Sequence, residues 1–211
     1  MLFRSIVSTA AVVVGVAGAT TATGPIATAG IAAAIGGAVS MALGEYVSVS
    51  SQRDSEEHLI AEQQRALATD PDAEFNALAR LYQQRGISPQ TSHTVATELT
   101  AHDPLAAHLR ARHNIDATDV ASPWHAAIVS FLTFTVGAVL PLLAILLPPP
   151  EWRVPVTFAA VILALAATGV IAAKVGGASP LRSSMRLIVG GALALIATWL
   201  IGTLLGTTGV V

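Results

Sequence analysis

Residues 36–57 read GGAVSMALGEYVSVSSQRDSEE, and this stretch decides the fold. It opens as an apolar run of small residues and closes as a polar run beginning Gln52-Arg53-Asp54, the pattern of a helix leaving a membrane. Met41 and Glu45 stand four residues apart, just over one helical turn, so their side chains share one helix face. A carboxylate in a membrane-type helix is costly and commonly functional. A thioether beside it adds a soft ligand, and the pair suits brief binding of a transition-metal ion. The plainer alternative is that Met41 fills space against lipid or core while Glu45 marks the interface.

Composition carries the same message for the whole chain. Of 211 residues, 53% are hydrophobic and 11% charged, and mean hydropathy is +0.66; a soluble domain carries about 25% charged residues. This is the composition of an integral membrane protein. Cysteine is absent, which excludes a disulfide framework and a thiolate metal site. A net charge of −2 argues against nucleic acid as a partner.

Upstream, Ile6 to Thr23 carries no charge and is long enough to span a slightly thinned bilayer. Arg4, the apolar run and Ala17-Gly18-Ala19 also fit a secretory signal peptide. The second run extends from Pro25, which suits a helix start, to about Ser51, interrupted only by Glu45. No Gly or Pro falls between Tyr46 and Asp70, so this helix is expected to continue beyond the membrane. Glu45 then lies about 28 Å along the helix from its outer end, near the cytoplasmic mouth.

Downstream the material changes. Residues 53–122 hold eleven of the thirteen acidic residues, six of the eleven Lys and Arg, and five of the six His. Asp70-Pro71-Asp72 and Arg85-Gly86-Ile87-Ser88-Pro89 are breaks followed by helix starts. Phe75, Leu78, Leu81 and Tyr82 recur at helical spacing, as do Val95, Leu99, Leu105 and Leu109. Three or four amphipathic helices are expected here, and no alternating strand pattern occurs. Three further apolar runs follow at 124–147, 154–173 and 187–205, with Pro148-Pro149-Pro150 as a stiff turn between the first two.

The fold class is therefore an all-α membrane protein: five transmembrane helices with a small cytoplasmic helical domain between spans two and three. Its parts are 1–54 (spans one and two), 55–122 (the helical domain) and 123–211 (spans three to five). Arg4, the six basic residues of 53–112, Lys174, Arg182 and Arg186 fall on one side, against Arg153 alone on the other. That asymmetry places the N-terminus and the polar domain in the cytoplasm and the C-terminus outside, in a cell's inner (plasma) membrane, and weighs against the signal peptide. Small residues crowd the spans, with Gly15, Gly18, Gly30, Gly36 and Gly37 in the first two and Gly190, Gly191 and Ala194 in the last. They favour a tight bundle or a homodimer, unless they reflect only a compositional bias toward Ala and Gly.

Val7-Ser-Thr-Ala-Ala-Val-Val-Val-Gly-Val-Ala-Gly-Ala19 and Ser40-Met-Ala-Leu-Gly-Glu-Tyr-Val-Ser-Val-Ser-Ser-Gln-Arg-Asp54 resemble the first two spans of the vacuolar iron transporter family. The resemblance continues through Asp70-Pro71, Leu81-Tyr82, Arg85-Gly86, His102-Asp103 and Ala127 to Leu143, and so covers essentially the whole chain, with bacterial membership expected. It implies a five-span homodimer that exports Fe2+, and in many members Mn2+, from the cytosol in exchange for protons. The path would run at the dimer interface between the first two spans, and the helical domain would gather the metal. No tightly bound cofactor is implied, since the divalent ion is the transported substrate.

Residue by residue, Met41 and Glu45 match the family's second-span Met and Glu. The first-span Asp-Gly is here Arg4-Ser5, which puts a cation where the path needs a carboxylate. Either this member is altered or the true start lies upstream of Met1. The two Glu-x-x-Glu pairs of the family's helical domain fall at Gln63, Ala66, Glu74 and Ala77, and a Met-x-x-acid pair at Thr100 and Asp103. Glu74 and Asp103 keep their charge, and Glu62 and Asp72 stand close enough in sequence to substitute. The expected metal residues are thus Met41, Glu45, Glu62, Asp72, Glu74 and Asp103. His58 with Glu62, and Glu98 with His102, are i,i+4 pairs that also suit Fe2+, Mn2+ or Zn2+, or are ordinary solvated helix faces.

Two function classes stay open: a secondary transporter of divalent metal, and a non-transporting membrane sensor or assembly protein on the same scaffold. An enzyme is not expected. The chain has no Ser/His/Asp set on one face, no phosphate-binding Gly loop and no His/Glu metal motif within a span.

Overall fold

The computed structural model describes residues 2–116 and 121–208; Met1, where the start of the chain was in question, lies outside them. All regular structure among the described residues is helical. In chain order the helices are α1 (Leu2–Ala19), α2 (Thr23–Thr69), α3 (Pro71–Gln84), α4 (Pro89–His102), α5 (Pro104–His113), α6 (Pro123–Leu146), α7 (Arg153–Gly176) and α8 (Pro180–Thr207), with a 3-10 turn at Pro150–Trp152. Five of them, α1, α2, α6, α7 and α8, are long and apolar enough to cross a membrane. The 47-residue α2 runs unbroken to Thr69, as the lack of Gly and Pro beyond Tyr46 requires.

The chain divides into two compact units, Met1–Glu45 with His125–Val211, and Tyr46–Trp124. In the first, the membrane unit, α1, α7 and α8 pack together around Ile6, Ala10, Val13, Val14, Val161, Leu165 and Leu195. Glycine permits the closest approaches. A Cβ at Gly202 would strike the backbone of Gly15, and one at Gly169 would strike that of Ser184. Such backbone contact is how helices associate where lipid removes the hydrophobic drive between them. Gly15 and Gly18 thus face Thr198 and Trp199 of α8. The small residues of the first span, expected to favour a tight bundle or a homodimer, serve packing within the chain at Gly15 and Gly18.

Arg153 opens α7 and is 7% exposed. Its guanidinium donates to the Thr21 carbonyl at 3.0 Å and the Thr23 hydroxyl at 2.7 Å, with a longer 3.4 Å contact to the Pro148 carbonyl. The cation that stood alone in the charge count therefore ties the α1–α2 connection to the start of α7. Buried charge is tolerated there because each guanidinium nitrogen finds an oxygen.

In the polar unit three helices begin with the same device, a capping side chain followed by proline at the first helical position. Asp70 accepts the Ala73 amide at 2.9 Å, Ser88 the Thr91 amide at 3.3 Å, and Asp103 the Ala106 amide at 2.9 Å. Leu78 and Ala96 are fully buried between α3 and α4, with Ala79, Ala107 and Ala111, and Phe75, Leu81, Tyr82 and Leu99 close around them. Asn114 ends α5 in the left-handed conformation at φ 55°, a position that asparagine tolerates better than most residues.

Candidate functional site

The membrane-unit candidates lie on one stripe of α2. Ala34, Ala38, Met41 and Glu45 follow one another at helical spacing. Met41 packs with Ala34 and Ala38 against Phe134 and Ala138 of α6. Glu45, one turn on, is half-buried and forms no ion pair with a described residue. The opposite stripe is apolar and uncovered: Ile31, Ile35, Val39, Leu43 and Val47 are all 44% exposed or more.

Neighbouring glycines on α2 have opposite surroundings. A Cβ at Gly37 would collide with the Phe134 ring, whereas one at Gly36 or Gly44 would meet nothing within 4 Å. Gly37 is therefore a contact within the chain, at a ring of the cluster against which Met41 packs, and not a free surface for a second copy. Gly36 and Gly44 are on open faces. Arg4 is exposed in the first turn of α1 and forms no ion pair with a described residue.

The expected metal residues of the polar unit do not converge. Among the described residues no group of three or more His, Asp or Glu is placed to hold a metal ion. Glu62 and Asp72 are exposed, as are His58, Glu98 and His102. Asp103 serves as the cap of α5. Glu62, Asp72, Glu74 and Asp103 therefore form no common group of three or more among the described residues. Three of these acids, Asp72, Glu74 and Asp103, sit in helix starts, where a carboxylate is favoured by free amides and the helix dipole alone.

Glu74 has a different and specific environment. Its Oε2 accepts the Gln63 amide at 2.7 Å from α2, and lies 3.0 Å from the Arg112 guanidinium and 3.3 Å from His108 Nδ1, both on α5. Arg112 also donates to Gln63 Oε1 at 3.0 Å. The side chain of His108 is 1% exposed and that of Glu74 15%. Burial holds the His108 imidazole below its usual pKa; Glu74 opposes this shift and Arg112 adds to it. Neither ring nitrogen of His108 has a hydrogen-bond partner. Sequence reading named Gln63 only as a departure and missed Arg112 and His108. Forty-nine residues separate Gln63 from Arg112, and no local periodicity reports such a pairing.

Comparison with known proteins bears on the whole chain. The model of the VIT family matches residues 5–203. A vacuolar iron transporter of Acanthamoeba castellanii is 38% identical over 189 residues, covering 89% of this chain and 72% of that protein. Vacuolar iron transporter homolog 1 of Oryza sativa subsp. japonica is 32% identical over 206 residues, covering 97% and 71%. Vacuolar iron transporter 1 of Tulipa gesneriana is 28% identical over 192 residues, covering 90% and 78%.

Proposed function

The chain belongs to the VIT family, and from that membership we propose that it carries divalent metal, iron foremost, across a membrane. In its finer form the proposal is export of Fe2+ or Mn2+ from the cytosol in exchange for protons, by a homodimer in the inner (plasma) membrane with the polar unit cytoplasmic. The observation that carries it is the Met41–Glu45 pair, one turn apart on α2, with Met41 seated against Phe134 and Ala138. Glu45 supplies the charge that offsets dehydration of the ion. Met41 supplies a soft, weak ligand that lets the ion go. The exposed acids Glu62 and Asp72 raise the local cation concentration without chelating.

A second reading, a non-transporting sensor or assembly protein, is favoured by one observation. Arg4 is exposed at the start of α1, where the resembled family places an acid. Uptake of Fe2+ and Mn2+ into proteoliposomes under an imposed pH gradient separates the two. Glu45→Gln should abolish transport while the protein still inserts and dimerises, and Met41→Leu should slow it at nearly unchanged volume. Arg4→Asp should raise it. A wild type that moves neither metal, beside an Arg4→Asp variant that does, establishes the second reading; a Glu45→Gln variant that transports like wild type removes the site.

A further inference from the structure

We infer that Arg112 is the resident cation of the polar unit: its guanidinium stands at Glu74 where a divalent ion would otherwise sit, so this unit is closed to metal. The inference stands apart from transport through Glu45 and holds whether or not that residue conducts.

Three helices meet at one carboxylate oxygen. Gln63 arrives from α2 at 2.7 Å, and Arg112 and His108 arrive from α5 at 3.0 and 3.3 Å. Glu74 and His108 are an oxygen and a nitrogen donor of the kinds that Mn2+, Fe2+ and Zn2+ accept. Gln63 Oε1, a further oxygen in the same place, is turned to the guanidinium at 3.0 Å.

Charge balance explains why the cluster needs no ion. One carboxylate and one guanidinium sum to zero, and Gln63 adds hydrogen bonds without adding charge. Gln63 is 3% exposed, so a carboxylate in its position would be left buried beside Glu74 and would demand a second cation. A divalent ion arriving at Glu74 would have to settle within a few Å of a fixed positive charge, and the two would repel strongly in a partly buried setting. The guanidinium cannot step aside by losing its proton. His108 carries the trace of the unused capacity: both ring nitrogens are buried without a hydrogen bond, Nδ1 standing 3.3 Å from the Glu74 carboxylate, so a lone pair is available once the guanidinium is withdrawn.

The test counts bound Mn2+ on the full chain in detergent by electron paramagnetic resonance, in which the free hexaaqua ion gives the signal. In wild type, Glu74→Gln should leave the number of bound ions unchanged, and EDTA should leave the melting temperature unchanged. The double variant Gln63→Glu/Arg112→Ala should bind one further Mn2+ per subunit, at least tenfold more tightly than wild type binds any ion in this unit. Adding His108→Ala should abolish that gain. Differences between variants cancel any ion held at Glu45. The inference is overturned if Glu74→Gln releases an ion from wild type, or if the double variant, folded by circular dichroism, gains none. Should the double variant fail to fold, the wild-type and Glu74→Gln comparison still decides.

Discussion

Substitution of alanine at Gly36 and at Gly37 puts the same methyl group at adjacent positions of one helix, with opposite outcomes expected. At Gly36 the added Cβ meets nothing within 4 Å, so the variant gains only helix propensity, about 1 kcal/mol. At Gly37 the Cβ collides with the Phe134 ring, and Phe134 is 4% exposed with little room to yield. Overpacking of this kind costs roughly 1–3 kcal/mol, set against the same propensity gain. Gly37→Ala should therefore be less stable than Gly36→Ala by about 1–3 kcal/mol, which for a chain of this size separates their melting temperatures by roughly 3–9 °C. Tryptophan fluorescence melting in detergent reads the difference. Transport reads the consequence, because Met41 packs against the cluster that holds this ring: Gly37→Ala should slow it and Gly36→Ala should not. Phe134→Leu in the Gly37→Ala background should recover both stability and rate, since the two residues are coupled. If Gly37→Ala melts at or above Gly36→Ala, the α2–α6 contact, and with it the placement of Met41, is wrong.

Arg153→Met removes two short charged hydrogen bonds, at 3.0 and 2.7 Å; at about 1.5–3 kcal/mol each in isolation, and with incomplete additivity, the loss should be about 3 kcal/mol. That corresponds to a melting temperature lower by roughly 6–12 °C, and a fall under about 2 °C would show that the guanidinium does not anchor the α1–α2 connection. Asp103→Ala should cost about 1 kcal/mol as a lost helix cap with metal transport unchanged; reduced transport at unchanged stability would return Asp103 to the metal path. His108 sits below its usual 6.5 because of burial, so the unfolded chain takes up the proton first as pH falls. The stability this buried neutral ring contributes should be full above pH 6.5 and decline through the lower folded value. Melting curves at several pH values should show this decline in wild type and a flatter profile in His108→Leu; equal slopes would rule it out. A single cysteine at Gln84, in a chain with none of its own, should react with a membrane-impermeant thiol reagent only after cells are opened, and labelling of intact cells would reverse the proposed orientation.

The helices were legible because each carries its own local signals. Asp70-Pro71 and Ser88-Pro89 cap and start helices by short-range chemistry, and the stretch from Tyr46 to Thr69 lacks any residue that would end one. The five apolar spans follow from uninterrupted hydropathy alone. Asp103-Pro104 has the same form as the other two starts. Its carboxylate caps α5 at the Ala106 amide, a role that its position before a proline announces as plainly as in the other two.

Partners on other helices were not legible, and the glycines of α2 show why. Gly36 and Gly37 are the same residue type at successive positions, yet one faces open space and the other an aromatic ring. Successive helical positions differ by about 100°, so which of two adjacent glycines meets a neighbour depends on where that neighbour sits, and the position of α6 is not written in α2. The same holds for the polar unit. Gln63 taken alone reads as a lost ligand, and Arg112 taken alone as one more surface cation. Only their placement on either side of Glu74, at 2.7 and 3.0 Å, turns two apparent defects into a complementary pair. An amide in place of a carboxylate removes one negative charge, and an arginine supplies the remaining positive one. Arg112→Ala leaves Glu74 without its cation, and Gln63→Glu adds a second buried carboxylate beside it. In EDTA the double variant should therefore melt below either single variant, and Mn2+ should raise it again. A double variant that melts with wild type in EDTA would refute the pairing.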